Sequence, residues 1–271
     1  MKKVALVTGA SSGIGYDVAL DLKAAGFTVY GAARRTEKLE SLKKHDIKAI
    51  ALDVTDEASM EICVSTILEK EGRIDVLVNN AGYGSYGAIE DIPMEEARRQ
   101  VEVNVFGLAR MSQLVLPSMR QHKFGRIINI SSMGGKIYTT FGGWYHATKF
   151  AVEALSDCMR LEVKEFGIDV VVVEPGGIKT DWGIIASDNL KKTSSKGAYK
   201  TAANKSAENM KKMYSGNGLS SPKVISRAVT KAATANRPKT RYLIGYGAKP
   251  FVFLRRILSD RMFDRIVKSM T

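Results

Sequence analysis

Tyr145 and Lys149 stand four residues apart, and Ser132 lies thirteen residues before Tyr145. In a helix, positions i and i+4 share one face, so this spacing sets a phenol beside an ammonium. A free phenol with a pKa near ~10 is a poor base at neutral pH. A neighbouring positive charge favours the phenolate and fits the pair for general acid–base work. Ser132 follows an apolar run that ends at Ile130. In open α/β sheets, ligands gather at such strand ends. Ser131 is a rival for the same role. As neighbours in an extended segment the two point to opposite faces, so only one of them can face Tyr145. Taken alone, Tyr-x-x-x-Lys is a common accident on helix surfaces, so the elements around it decide its meaning.

Those elements alternate. Apolar runs at 4–7, 28–31, 49–52, 76–78, 126–130 and 170–173 predict strands. Most are continuous, as expected for strands buried on both faces of a parallel sheet. Amphipathic stretches at 14–25, 58–69, 95–120 and 146–166 predict helices between them. Strand–helix alternation implies an α/β fold with a doubly wound parallel sheet, because parallel strands need crossovers. No repeat and no linker divides the chain, so a single domain over 1–271 is expected.

Residues 8–15 read Thr-Gly-Ala-Ser-Ser-Gly-Ile-Gly, between the first strand and the first helix. Gly9 permits a tight turn, Gly13 lets the backbone approach a pyrophosphate, and Gly15 lets helix and sheet pack closely. With Ser11, Ser12 and Ile14 they open a helix whose N-terminal N–H groups favour an anion. As a bare pattern this is a structural turn. At the head of a βαβ unit it points to a dinucleotide. The second strand ends at Ala33, where an NAD-type site would carry an acidic residue, and Arg34 and Arg35 follow. Planar guanidinium suits a 2′-phosphate, so NADP(H) is the expected cofactor and Arg34 its first-choice partner.

Together these pieces resemble the short-chain dehydrogenase/reductase superfamily. The match adds Asp53 after the third strand, Asn79-Asn80-Ala81-Gly82 after the fourth, Asn104, and Pro175-Gly176 followed by Thr180. It covers residues 1–182 in the family's order. The resemblance implies a Rossmann fold and an NADP(H)-dependent oxidoreductase that reduces a carbonyl or oxidises a secondary alcohol. Tyr145 would exchange the proton with the substrate oxygen, and Ser132 would hydrogen-bond that oxygen. Lys149 would bind the nicotinamide ribose and lower the Tyr145 pKa, and Asn104 would hold a water linking Lys149 to solvent. Asp53 and Val54 would flank the adenine, Asn80, Ala81 and Gly82 the adenosine ribose, and Pro175, Gly176, Ile178 and Thr180 the nicotinamide. The family also implies a dimer or tetramer built on the long helices at 95–120 and 146–166.

Beyond Thr180 the resemblance thins. Residues 183–220 are polar, lysine-rich and strandless, with a helix expected only at 201–213, and are assigned as a substrate lid. A helix at 223–235, a strand at 241–245 and a helical tail from Pro250, restarted at Ser259-Asp260, complete a segment over 221–271. This layout looks like the branch holding 17β-hydroxysteroid, retinol and acyl-dihydroxyacetone-phosphate reductases, which implies a bulky apolar, steroid-, retinoid- or lipid-like substrate. Its candidate lining is Tyr83, Met133, Ile137, Tyr138, Phe141, Trp144 and Trp182, each of which reads equally as plain core. Acyl-dihydroxyacetone-phosphate or 3-oxoacyl reduction is the alternative, and a non-catalytic NADP(H)-sensing protein is the alternative of another class.

Charge is unevenly placed. The chain carries +13, and residues 179–271 hold 20 Lys+Arg against 5 Asp+Glu. That excess suggests either an anionic contact, with nucleic acid, a phosphate-bearing substrate or a membrane surface met by the C-terminal third, or no more than a solvated face. Without a helix-turn-helix or aromatic-basic signature, nucleic acid is not expected. Cys63 and Cys158 are read as core thiols of a reducing compartment. With no leader and no apolar stretch long enough to span a bilayer, a cytoplasmic location is expected. His45, His122 and His146 have no ligand-spaced companions, so no metal is expected.

Overall fold

The computed structural model describes residues 2–269. Seven strands form one sheet: β1 (Val4–Thr8), β2 (Thr28–Ala33), β3 (Lys48–Ala51), β4 (Val76–Asn79), β5 (Gly125–Ile130), β6 (Ile168–Pro175) and β7 (Arg241–Ile244). Their order is β3-β2-β1-β4-β5-β6-β7 and every pairing is parallel. The fold is therefore the doubly wound, Rossmann-type α/β sheet expected. The order reverses between β1 and β4, which pair through Ala5↔Val76. A crevice opens beyond the carboxyl ends of strands at such a reversal.

Side chains alternate across the sheet and both faces are buried, which explains the continuous apolar runs. Ala5, Val7 and Val29 face α1 (Gly13–Ala24), the short α2 (Glu40–Lys43) and α9 (Lys223–Thr234). Val4, Leu6 and Tyr30 face α3 (Glu57–Glu71) and α5 (Gly107–Gln121). The stretch expected as one helix at 95–120 is in fact three pieces. α4 (Met94–Val101) runs into a π-turn at Glu102–Phe106 before α5. A π-turn inserts a single residue, which barely disturbs the apolar period and so leaves no sequence signal. The other long helix is α6 (Gly143–Glu162).

The 183–220 region contains more helix than expected. α7 (Trp182–Ser194) packs on α8 (Lys200–Ser215). The buried side of α7 consists of Gly183, Ala186, Ser187, Leu190 and Ser194, at helical spacing but small and weakly apolar. Small residues let the two helices approach closely, and the Ser187 hydroxyl donates to the Ala207 carbonyl at 3.0 Å. The tail forms α10 (Ala248–Ile257) and α11 (Asp260–Ser269), broken where Ser259-Asp260 predicted. Cys158 is a correction: it is exposed on α6, whereas Cys63 lies in the core.

Phe263 anchors the tail. It is fully buried against Tyr138, ring centroids 5.3 Å apart and edge to face. Replacing Phe263 by Ala leaves a cavity and should cost about 3–5 kcal/mol in denaturant unfolding. A loss well under ~1 kcal/mol would mean that the tail is not packed this way.

Candidate active site

The turn after β1 is a cradle. Gly9 and Gly13 take φ of +66° and +56°, which suits glycine. A Cβ on Gly9 would come within 2.9 Å of Ala81 Cα, and one on Gly15 would strike Asn80 Nδ2 and the Gly9 carbonyl. Asn80 Nδ2 donates to the carbonyls of Thr8 (3.0 Å) and Gly9 (3.2 Å), and the Thr8 hydroxyl accepts from the Asn80 and Ala81 amides at 3.0 Å. Ser12, at the head of α1, makes no side-chain cap, so the first-turn amides lack a side-chain acceptor there. From the opposite wall Thr180 reaches within 3.5 Å of a Cβ built on Gly13. Its segment is held by Gly176 N–H donating to Ile244 O at 2.8 Å, and Ile178 is buried. Glycines shaped for close backbone approach and a helix N-terminus without a side-chain cap fit a dinucleotide pyrophosphate.

At the rim of this crevice, Arg34 and Arg35 extend from the end of β2. Both are exposed, and among the described residues neither guanidinium makes a hydrogen bond or ion pair with the protein. Arg34 lies close enough to Tyr83 to act on its phenol electrostatically. Asp53 accepts from the Thr55 amide (3.0 Å) and hydroxyl (2.8 Å), shaping the turn before α3, whose cap is Asp56. Val54 is buried against Gly107.

The chemical cluster sits where the first turns of α6 meet the end of β5. Lys149, buried, donates to the Ile130 carbonyl at 2.8 Å. Asn104, inside the π-turn, accepts from the Tyr83 amide (3.0 Å) and donates to the Tyr83 carbonyl (2.8 Å) and the Thr148 hydroxyl (3.0 Å). A Cβ on Gly82 would stand 3.1 Å from Asn104 Oδ1 and 3.8 Å from Lys149 Nζ, so Gly82 sits beside both. Ser132 Oγ accepts from Gly134 N–H at 2.9 Å and lies against the Tyr145 phenol. Ser131 Oγ instead faces Gly135, buried and without a hydrogen-bond partner. The structure thus brings together Ser132, Tyr145, Lys149 and Asn104, and turns Ser131 away.

The electrostatics correct one expectation. Burial pushes the Tyr145 phenol up to about 12, with the Ser132 hydrogen bond acting in the other direction. Lys149 does not outweigh this. Its ammonium is 6.0 Å from the phenol ring centre and is engaged by Ile130. Burial brings Lys149 down to about 8, against the pull of Glu153 one turn further along α6. In this structure Tyr145 is a neutral phenol at pH 7.

An aromatic cover explains the burial. Trp182, leading α7, sits 5.1 Å from the Tyr145 ring centre, and Tyr86 sits 5.9 Å from it. Tyr214 on α8 lies 6.1 Å from Trp182, and its phenol is within electrostatic range of Tyr145. Trp182 and Phe141 lie in the apolar cluster around Tyr145. Met133, Ile137 and Tyr138 do not: they pack against α10 and α11. Tyr83 donates to Glu96 at 3.0 Å, and the Trp144 indole N–H is buried without a partner. Tyr86 and Tyr214 had no local signal, since their placement depends on how the α7–α8 pair folds back. His146 was also missed. Its Nδ1–H donates to Gly134 O at 2.9 Å, and its Nε2 accepts from Thr139 N–H at 3.0 Å. This bonding fixes one neutral tautomer, and burial lowers the pKa, with the backbone hydrogen bonds acting in the other direction. His146 therefore holds both ends of the loop that carries the Ser132 contact.

Residues 3–191 match the family model described as short chain dehydrogenase. A short-chain type dehydrogenase/reductase of Helicobacter pylori is 34% identical over 98% of this chain and 96% of its own. A 3-ketodihydrosphingosine reductase of Bacteroides thetaiotaomicron is 43% identical over 66% of this chain and 65% of its own. An NADPH-dependent 3-dehydrocapnine reductase of Ornithobacterium rhinotracheale is 34% identical over 97% and 95%. Among solved structures, a short-chain dehydrogenase from Streptomyces avermitilis superposes with a TM-score of 0.81 at 35% identity, covering 100% of this chain and 99% of the other. Actinorhodin polyketide ketoreductase with NADPH gives 0.74 at 29%, covering 89% and 94%.

Replacing His146 by Leu leaves the Thr139 amide and the Gly134 carbonyl unpaired in the interior. This should cost about 1–3 kcal/mol in denaturant unfolding. His146→Gln retains a donor and an acceptor and should recover most of that loss. Equal stability of the two variants would show that the loop does not depend on this side chain.

Proposed function

The chain belongs to the short-chain dehydrogenase family, and we propose that it is an NADPH-dependent reductase of ketones on bulky apolar molecules of steroid, retinoid or lipid type. The observation that carries this reading is the neutral Tyr145 phenol, buried between Ser132 and Trp182. A protonated phenol can donate to a carbonyl oxygen, and the relatives named as reductases support that direction. A nicotinamide bound in the crevice supplies the hydride. Tyr145 gives its proton to the substrate oxygen, Ser132 donates a hydrogen bond to that oxygen, and the Lys149 ammonium steadies the phenolate left behind. Asn104 fixes the 82–83 backbone beside Lys149, where a water can link the ammonium to solvent.

Gly9, Ser11, Ser12, Gly13, Ile14 and Gly15 cradle the pyrophosphate in this reading. Asp53 and Val54 border the adenine, Asn80 to Gly82 border its ribose, and the 175–180 segment covers the nicotinamide. The unpaired Arg34 and Arg35 support NADP(H), as do the relative named NADPH-dependent and the ketoreductase with NADPH. The aromatic cover over Tyr145 supports an apolar substrate, and α7 and α8 are its lid. The relative named for 3-ketodihydrosphingosine points the same way. A non-catalytic NADP(H) sensor would not need the four-residue cluster kept together. We place the enzyme in the cytoplasm: among the described residues no helix is long and apolar enough to cross a membrane, and both cysteines are free. A homodimer or tetramer is supported by exposed Phe150, Leu155 and Leu161 along α6 and by Phe106 before α5.

The test is NADPH absorbance followed against a panel of ketones. Bulky apolar ketones should be turned over, with NADPH preferred to NADH by roughly tenfold or more, the worth of a hydrogen bond to a charged group. Arg34→Ala should erase much of that preference. Tyr145→Phe should cut kcat by about 10²–10⁴-fold while NADPH binding, read by fluorescence, persists. A preference for NADH, or near-normal turnover by Tyr145→Phe, would refute the reading.

A further inference from the structure

The C-terminal helices have two faces with opposite characters. Their inner side is packed: Phe251, Leu254 and Leu258 of α10 and its end, with Phe263 and Val267 of α11, close on Met133, Ile137 and Tyr138. Both helices dock onto the same segment, so their outer sides look away from the domain together. The outer side keeps three large apolar side chains in solvent: Phe253 (60% exposed), Ile257 (58%) and Met262 (50%). Phe253 and Ile257 are one turn apart on α10, and Lys249 and Arg256 fall on the same stripe. On α11, Arg261, Arg265 and Lys268 repeat at helical spacing, and all are exposed.

The two acids of the pair offset only part of this charge. Asp260 is bonded to Arg255 at 2.8 Å, and Asp264 accepts from the Tyr138 hydroxyl at 3.0 Å. Arg255 is itself drawn inward, stacked over Tyr138 and Phe263. Lys249, Arg256, Arg261, Arg265 and Lys268 remain as a cationic field around exposed apolar groups. A second copy of the chain would bring like charge against like charge. A nucleic acid would neutralise the cations but offers no apolar depth for Ile257 and Met262. An anionic bilayer satisfies both: headgroups for the cations, and the upper acyl region for the three apolar side chains.

We propose that the outer face of α10 and α11 docks on an anionic lipid bilayer, laying the C-terminal helix pair flat on the membrane surface. The inner face of the same pair is the wall behind residues 133–138, which follow Ser132. Docking therefore sets the site close to the surface from which an apolar ketone would arrive. That last link rests on the proposed function, whereas the docking itself does not.

Flotation of the intact protein with phosphatidylglycerol/phosphatidylcholine vesicles tests it without any activity readout. The protein should float with these vesicles at low salt, remain behind with pure phosphatidylcholine, and release at high salt as the charges are screened. Each basic residue near an anionic surface strengthens binding by roughly fivefold. Arg261→Glu/Arg265→Glu and Phe253→Glu/Ile257→Glu should each weaken partition by roughly tenfold or more with an unchanged melting temperature. Lys205→Glu/Lys211→Glu, with the same charge change on α8, should leave partition near wild type. Absence of binding at low salt would overturn the proposal. So would equal loss in the α8 variant, which would mark general adhesion of a basic protein, or tighter capture by duplex DNA or RNA than by the vesicles.

Discussion

A buried ammonium needs a fixed partner, since an unpaired charge in the interior is costly. Lys149 finds it in the carbonyl that ends β5. This one bond ties α6 to the sheet at a defined height. Tyr145, one turn earlier on α6, is thereby set against Ser132, two residues beyond Ile130. The same ammonium borders Gly82, whose neighbour Tyr83 is clamped at both backbone atoms by Asn104. Three chain segments from distant parts of the sequence thus meet around one charge. Its burial brings Lys149 down to about 8, and Glu153 offsets part of that cost from the next turn. Glu153 is in turn held by Lys136 at 3.0 Å and Arg241 at 3.2 Å, so the charge balance of the site extends through the domain to β7.

Around this fixed centre stand two walls. One is aromatic: Tyr86, Trp182 and Tyr214 close over Tyr145 and take the phenol out of water. The other is the tail, packed through Phe263 behind the loop after Ser132. The first wall holds the phenol neutral, and the second holds the loop that presents Ser132. His146 supports that loop from the helix side, so the hydroxyl is fixed from two directions.

Much of this was legible in the sequence. Continuous apolar strands, the Gly9–Gly13–Gly15 turn and the Tyr145–Lys149 pair each carry a local signature, and the fold brings them together at the sheet reversal. The parts that stayed hidden have physical reasons. The π-turn at Asn104 shifts the helical phase by a single residue. α7 buries glycine, alanine and serine, which read as surface until a partner helix is known. Met133, Ile137 and Tyr138 follow Ser132 and so looked like substrate lining, but only the folded tail shows that they are its seat. The sign of the Tyr145 shift was missed because spacing reveals the neighbouring ammonium and not the aromatic cover that excludes water. Cys158 sits in an apolar helix pattern, yet its stripe faces outward.

The central claim is that a neutral Tyr145 donates the proton while a charged Lys149 steadies the phenolate. The pH dependence of single-turnover ketone reduction with NADPH tests it most directly. Tyr145, held up at about 12, stays protonated throughout the accessible range, while Lys149 loses its charge as pH rises through about 8. The rate should stay flat through neutral pH and fall above about 8. A rate that climbs with pH across the same interval would contradict it.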